Sequence, residues 1–468
     1  AKRASITYST SIQKAEVQTA YNLKADGRRL EVPPSNFQVE INTGKEMGEP
    51  VFSDMTTMTE VFPDVEVGDT LVFGYRLTTS EAMFAGHFSA RESFARTRAY
   101  DRARLRIDAP ADLWTQYRTR QLTETMNTVE DGRRILEWTY ANPEPAASHR
   151  YDYSVYDLES DPGLEFSTFG SHADIAAAYG SRARPKAAVT PRIQALADQI
   201  AGNAGTPREV AKALYDWVAT HITYAGNCIG LGAVVPHDLD FVLDNRMGDC
   251  KDHATLLQAL LAAKGIAATQ ALVNSGSAYR LPRVPLVAMV NHVINYLPEL
   301  DLFLDSTSNT TPFGLLPYED SDKPVLLVDG HRDGLKTPPL AVGSNWQYSR
   351  STVTILRDGA AKGRVEIAQS GMYAAETRAK FRARRKEVQD DLVKNLYKSM
   401  GYIGTGRVEA DDPAPLSDSF RYQADFEVQG LYQLPGPGAF AIAPHFYSDA
   451  PISAYVSSAM QHDEEAPE

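Results

Sequence analysis

Hydrophobic and polar positions alternate along the first third of the chain. Val17, Thr19 and Tyr21 alternate with polar neighbours, and so do Phe37, Val39 and Ile41, then Leu71, Phe73, Tyr75 and Leu77. A period of two is that of a strand with one covered face. Asp26-Gly27 and Asp131-Gly132 punctuate these runs, the second ahead of Ile135, Trp138 and Tyr140. Asp-Gly between strands is a hairpin signal. Repeated short strands with such turns predict a β-sandwich domain over residues 1–160.

Residues 163–191 read as a mixed linker with a short helix around 173–179, and then the period lengthens. Pro191 opens a helix with Ile193, Leu196, Ala197 and Ile200 at helical spacing. Thr206-Pro207-Arg208-Glu209 is a capping box with proline at the first helical position,. The helix it starts runs to about Ile222, with Val210, Leu214, Trp217 and Val218 as its expected inner face. A glycine-rich loop (226–232) and a helix around 239–245 follow. The segment 251–264 then carries a stripe of Leu256, Leu257, Leu260 and Leu261, stopped by Gly265,. Asn291 to Tyr296 and Asp301 to Asp305 read as two strands of a hairpin, and 324–328 as another strand. This gives a second, α+β domain over residues 161–335.

Pro338-Pro339 marks a boundary,. Beyond it, strands at 352–356 and 364–367 flank Asp358-Gly359, and another strand lies around 420–428. Between them one long helix is expected over 374–400, with Phe381, Val388, Leu392 and Leu396 buried. Its basic cluster, Arg378 to Lys386, reads as a solvated face balanced by Glu387, Asp390 and Asp391. A C-terminal β-rich domain with a long helix is therefore expected over 345–468, and disorder over 464–468. The fold class is multidomain α+β.

Composition narrows the function. A net charge of −13 excludes a nucleic-acid binder that relies on a basic face,. No apolar run approaches the ~20 residues of a membrane span. The chain begins at Ala1 and carries no signal-peptide pattern. Two cysteines make no disulfide framework,.

The chemistry centres on Arg246-Met247-Gly248-Asp249-Cys250-Lys251-Asp252-His253. Cys250 falls at a helix start, where the dipole and free amide groups favour a thiolate. Taken alone, a cysteine there reads more readily as a small buried hydrophobe than as a nucleophile. The hairpin adds a partner. If its turn is centred on Pro298 and Glu299, Tyr296 faces Asp301, Ile294 faces Phe303, and His292 faces Asp305. Cross-strand neighbours have Cβ atoms about 4.5–5.5 Å apart. A carboxylate on one ring nitrogen leaves the other to take a thiol proton. Tyr224 is a candidate donor for a developing oxyanion beside the Cys250 amide; a packed tyrosine at a helix end is the other reading. Asp249, Lys251, Asp252 and His253 flank the cysteine with local roles open to each. His237, His253 and His292 lie on separate elements without His-Glu-x-x-His or paired-Cys spacing, so no metal is expected. His87 and His172 are isolated. No cofactor is expected.

These motifs resemble the transglutaminase-like superfamily, which includes papain-like peptidases, transglutaminases and inactive members. The resemblance rests on Gly248 to His253, Asn291-His292 and Leu304-Asp305-Ser306-Thr307. Ile222-Thr223-Tyr224, Gly230-Leu231-Gly232, Val235-Pro236-His237 and Gly314-Leu315-Leu316-Pro317 are similar to bacterial exported members with an uncharacterised N-terminal β-domain. The resemblance implies Cys250 as nucleophile, His292 as base and Asp305 as orienter. It implies a peptide or protein substrate, such as a cell-envelope peptide, and a periplasmic or otherwise exported location. The expected chemistry is acyl transfer through a thioester, to water or to an amine. The alternative is a non-enzymatic cell-envelope module that holds a peptide or glycan in the same cleft. By the same resemblance the loop with Cys228 borders Cys250. Two free thiols are expected, with a reversible Cys228–Cys250 bond as the lesser alternative.

Overall fold

The computed structural model describes residues 2–41, 51–146, 161–228, 230–341, 343–383 and 391–432. The chain divides into two compact units. The first comprises residues 1–144, 157–307 and 324–335, and the second 145–156, 308–323 and 336–468. Among the described residues no helix is long and apolar enough to cross a membrane.

The first unit opens with antiparallel three-stranded sheets. Gln13–Leu23 lies between Arg29–Glu31 and Thr70–Thr79, and Met55–Val61 lies between Arg3–Ser9 and Phe37–Ile41. Thr123–Glu130 and Arg133–Asn142 form a hairpin. Its two loop residues, Asp131 and Gly132, both have positive φ (49° and 72°). That is the primed turn whose twist matches the strands. The alternation at Phe37–Ile41 does not mark a covered face, since Val39 and Ile41 are exposed.

Gly163–Ser167 is a fully buried strand, where a linker was expected. It is the centre of a sheet with Gln116–Arg120 and Ser89–Ser93. Its Glu165 carboxylate is buried against Arg120 at 2.7 Å. Five residues buried throughout carry no alternation, so periodicity could not show the strand.

The helices of this unit are α1 (His172–Ala183), α2 (Pro191–Ala201), α3 (Pro207–His221), α4 (Leu239–Asn245) and α5 (Cys250–Ala263). The Thr206–Glu209 capping box starts α3 as the sequence predicts. Its buried face is Ala211, Leu214, Tyr215, Val218 and Ala219. Trp217 is only half-buried, with His221 stacked on it at 4.9 Å and the Arg246 guanidinium 5.2 Å from its ring. Helix α5 is buried on nearly every side. At its end Gly265 has φ 70°. The Gly265 and Ile266 amides donate to Ala262 and Leu261 carbonyls, which is the Schellman stop. Packed against α5 is an antiparallel sheet in the order Leu302–Leu304, His292–Leu297, Thr269–Val273, Leu326–Leu327.

A parallel pairing of Gly226–Cys228 with Val51–Ser53 joins the N-terminal strands to the loop ahead of α4.

In the second unit four antiparallel strands run in the order Gln347–Ile355, Ala361–Ser370, Ser419–Gln429, Ile403–Ala410. Helices α6 (Met372–Arg382) and α7 (Leu392–Ser399) occupy the expected long-helix region. Residues 384–390, Val388 among them, lie outside the described residues, as does the 464–468 tail. Phe381, Val393 and Tyr397 pack with Ile367, Phe420 and Tyr422. The expected solvated basic face is corrected at two positions. Arg378 is fully buried and donates to the Thr310 carbonyl at 2.6 Å. Arg382 donates to the Pro413 carbonyl at 2.6 Å. These guanidiniums satisfy loop carbonyls that burial would otherwise strand.

A Cβ at Gly163 would lie 2.2 Å from the Glu92 carbonyl oxygen across the sheet. Gly163→Ala is expected to cost about 2 kcal/mol or more, read as a lowered urea midpoint with an unchanged slope.

Candidate active site

The site is built on the start of α5. Asp249 is the N-cap: its side chain accepts from the Asp252 amide, and the Asp252 side chain accepts from the Asp249 amide. This reciprocal box fixes the first turn and hence Cys250, its first residue. Asp249 and Lys251 are buried and hydrogen-bonded to each other. Asp252 is fully buried, and also accepts from the His237 amide at 2.7 Å and from His237 Nδ1 at 2.8 Å. Gly248 has no room for a side chain, since a Cβ would stand 2.6 Å from that of Asp252. Cys250 is a free, half-buried thiol.

The hairpin supplies the other groups in a register shifted by two from the expected one. Asn295 pairs with Leu304, Tyr296 with Phe303, and Leu297 with Leu302. The reason is the turn. Four residues, Pro298 to Asp301, bridge the strands, and Asp301 takes φ 46°. A shift of two keeps every side chain on its face. His292 and Asp305 therefore still meet, at 3.2 Å from Nε2 to Oδ2, although they are not directly opposed. Tyr296 likewise reaches Asp301, its hydroxyl donating at 2.8 Å.

The carboxylate is held from several sides. Its Oδ1 accepts from the Thr307 amide at 2.9 Å and the Thr307 hydroxyl at 2.7 Å. The Tyr215 hydroxyl donates to the Asp305 carbonyl at 2.9 Å. His253 Nδ1 binds the Ser306 carbonyl at 2.8 Å. Burial opposes charge on Asp305, but His292 and the Thr307 donors prevail and hold its pKa well below the usual carboxylate range. Burial also opposes charge on His292. Asp305 and the hydrogen-bonded Cys250 sulfur outweigh it, and the imidazole pKa stands well above the ordinary value. With Nε2 given to Asp305, Nδ1 is the ring atom left for the sulfur.

The remaining candidates fall around this core. Tyr224 pairs with Gly248 in a two-residue parallel bridge, and its ring lies 6.1 Å from that of His253. The side chain of Cys228 lies outside the described residues. The three histidine rings make separate attachments: His237 to Asp252, His253 to the Ser306 carbonyl, His292 to Asp305. His87 stacks on Phe169 at 4.2 Å. His172 is the first residue of α1, with its pKa lowered by burial. Sequence reasoning missed Tyr215 and Tyr179. The Tyr179 hydroxyl is buried on Gln270 at 2.7 Å, and its pKa is raised by burial and by the nearby Cys250 sulfur. Each acts across a long sequence separation and carries no local signal.

Comparison with known proteins agrees with this architecture. Residues 194–277 match the model of the transglutaminase-like superfamily. The chain thus carries a transglutaminase-like core. Residues 1–147 match a domain of unknown function with solved structure, DUF3857, and form the β-rich region that precedes it. No curated protein matches the chain. A crystal structure from Parabacteroides distasonis, provisionally described as a protease, is similar over 92% of this chain and 86% of its own, with 14% identity and a TM-score of 0.59. That likeness shows the fold. A provisionally described cysteine protease from Cytophaga hutchinsonii covers 47% of this chain and 71% of its own at 12% identity, and its TM-score of 0.21 is too low to show a shared fold.

Burial lowers the His253 pKa from 6.5 to about 4. The unfolded chain therefore binds the extra proton first, and stability falls as pH drops through 6.5 toward 4. The loss approaches about 3 kcal/mol at the acid end. His253→Asn retains a donor for the Ser306 carbonyl and removes this titration. Urea unfolding at pH 7 and pH 4.5 is expected to show a smaller stability loss in the variant than in the wild type.

Proposed function

We propose that the protein is a cysteine-nucleophile acyl-transfer enzyme acting on amide or peptide substrates, with Cys250 as nucleophile, His292 as base and acid, and Asp305 as orienter. The supporting observation is one connected chain: Asp305 on Nε2 of His292, and the same imidazole hydrogen-bonded to a sulfur at a buried helix N-terminus. The positive charge held on His292 favours a thiolate beside it, and so do the first-turn amides.

The sulfur attacks the substrate carbonyl, forming the C–S bond. The negative oxygen of the tetrahedral intermediate is met by the Cys250 amide, and in this reading by Tyr224. As the intermediate collapses, the C–N bond breaks and the amine leaves with the His292 proton. A thioester remains. Water or a second amine then gives a proton to His292 and displaces the sulfur, giving hydrolysis or transfer. Asp305 keeps the ring oriented and its charge balanced throughout. An exported location, with substrates in the cell envelope, belongs to the same reading. So does a three-part organisation of N-terminal β-domain, core and C-terminal domain.

Iodoacetamide labelling near neutral pH tests the nucleophile. Cys250 is expected to react faster than Cys228, and His292→Ala and Asp305→Asn are expected to slow it at least tenfold. Equal rates in all three proteins would leave a binding module as the better reading. A peptide panel with Cys250→Ala as control then measures turnover, and added amine separates transfer from hydrolysis.

A further inference from the structure

The N-terminal β region reaches the apolar side of Cys250. After the strand Thr70–Thr79, the chain turns tightly at Ala85-Gly86, where Gly86 has φ 76°. The turn is closed by a bridge between Phe84 and His87, the His87 amide donating to the Phe84 carbonyl at 3.0 Å. Phe84 is driven inward and is 5% exposed. It meets Phe169 edge-on at 6.0 Å. It shares one apolar cluster with Ile175 and Tyr179 of α1, Ala254 of the nucleophile helix, and Val293, the residue after His292.

The half-buried side chains edging that cluster include Cys250 itself, with Val234, Leu281, Val287 and Val290. The side chains of the cluster and its edge are hydrophobic, and the Arg182 guanidinium of α1 stands 5.9 Å from the Phe84 ring. The edge is also tied to the N-terminal region by its backbone, as the Val287 amide donates to the Ser89 hydroxyl at 3.1 Å. A half-exposed aliphatic surface continuous with a nucleophile covers the side chain of the group attached to it, and each buried methylene is worth about 0.8 kcal/mol.

We infer that these aliphatic residues select acyl groups bearing a large apolar side chain next to the reacting carbonyl, and that Phe84, from the N-terminal β region, is the positioning residue behind them. This rests on Cys250 being the nucleophile. Phe84 does not touch the acyl group. It holds Val287 and its neighbours where the acyl side chain meets them.

The test uses the full chain and acetyl-aminoacyl chloromethyl ketones carrying alanine, leucine, phenylalanine or aspartate. The Cys250 thiolate displaces chloride, forming a C–S bond to the methylene. Iodoacetamide, which has no side chain, is the reference for each protein, and Cys250→Ala corrects for Cys228. The wild type is expected to favour leucine and phenylalanine over alanine by about 10–200-fold, the range of an apolar pocket, with aspartate slowest. Relative to its own iodoacetamide rate, Phe84→Ala is expected to lose most of that preference, and Phe84→Leu to keep most of it. Val287→Ala, at a half-buried position, is expected to lose part and serves if Phe84→Ala does not fold. A wild type without apolar preference overturns the inference while leaving the nucleophile intact. So does a Phe84→Ala protein slowed by one common factor with every probe. A Cys250 no faster than in His292→Ala overturns the nucleophile reading, and this inference with it.

Discussion

A helix buried on nearly every side has little water for its first amide groups, and the start of α5 depends on how that is solved. Its polar first turn serves itself: Asp249 and Asp252 exchange hydrogen bonds with each other's amides, and Lys251 neutralises Asp249. Three charged residues are thereby buried next to one another, an arrangement that is stable only because each is paired. The outcome is a fixed position for Cys250 in the first turn of α5. Asp252 extends the same economy outward by holding the loop at His237.

Opposite this fixed point the hairpin presents a group that carries charge only with help. Asp305 loses water on burial and regains donors from Thr307, while Tyr215 and His253 hold the consecutive carbonyls of Asp305 and Ser306. The imidazole between carboxylate and thiol then takes its protonation from both. Asp305 and the imidazole each shift the other's pKa, so carboxylate and ring titrate as a coupled pair,. His253 is an exception in kind. Burial keeps it neutral, and its Nε2 has no hydrogen-bond partner among the described residues. It serves as a donor to the Ser306 carbonyl from the neutral ring.

What could be read from the sequence was what local chemistry dictates. The Thr206–Glu209 box, the Leu256–Leu261 stripe, the Gly265 stop and the Asp131-Gly132 turn are all encoded within a few residues, and all were legible. The hairpin was legible but its register was not, because nothing in Pro298-Glu299-Leu300-Asp301 announces a left-handed Asp301. The face survived the error because strand side chains repeat every two residues. Trp217 has the spacing of a core residue, yet it lies at the helix flank between His221 and Arg246. Gly163–Ser167, Arg378 and Phe84 carry no local signal, for one reason. Each is explained by a partner far away in the chain.

The short parallel bridge between Val51–Ser53 and Gly226–Cys228 has a consequence for the order of assembly. A ribosome releases the N-terminal strand long before its partner, and a three-residue strand gains little until that partner arrives. Loop-closure entropy must be met first, and long-range pairing is intrinsically slow. The loop ahead of α4 therefore settles only after most of the first unit has been synthesised and the N-terminal strands have formed. Expressed alone, the core would start with that edge open and with the Phe84 site vacant. A truncated core would thus be prone to strand-mediated self-association, and maturation of the thiol site would be one of the last steps on the folding path.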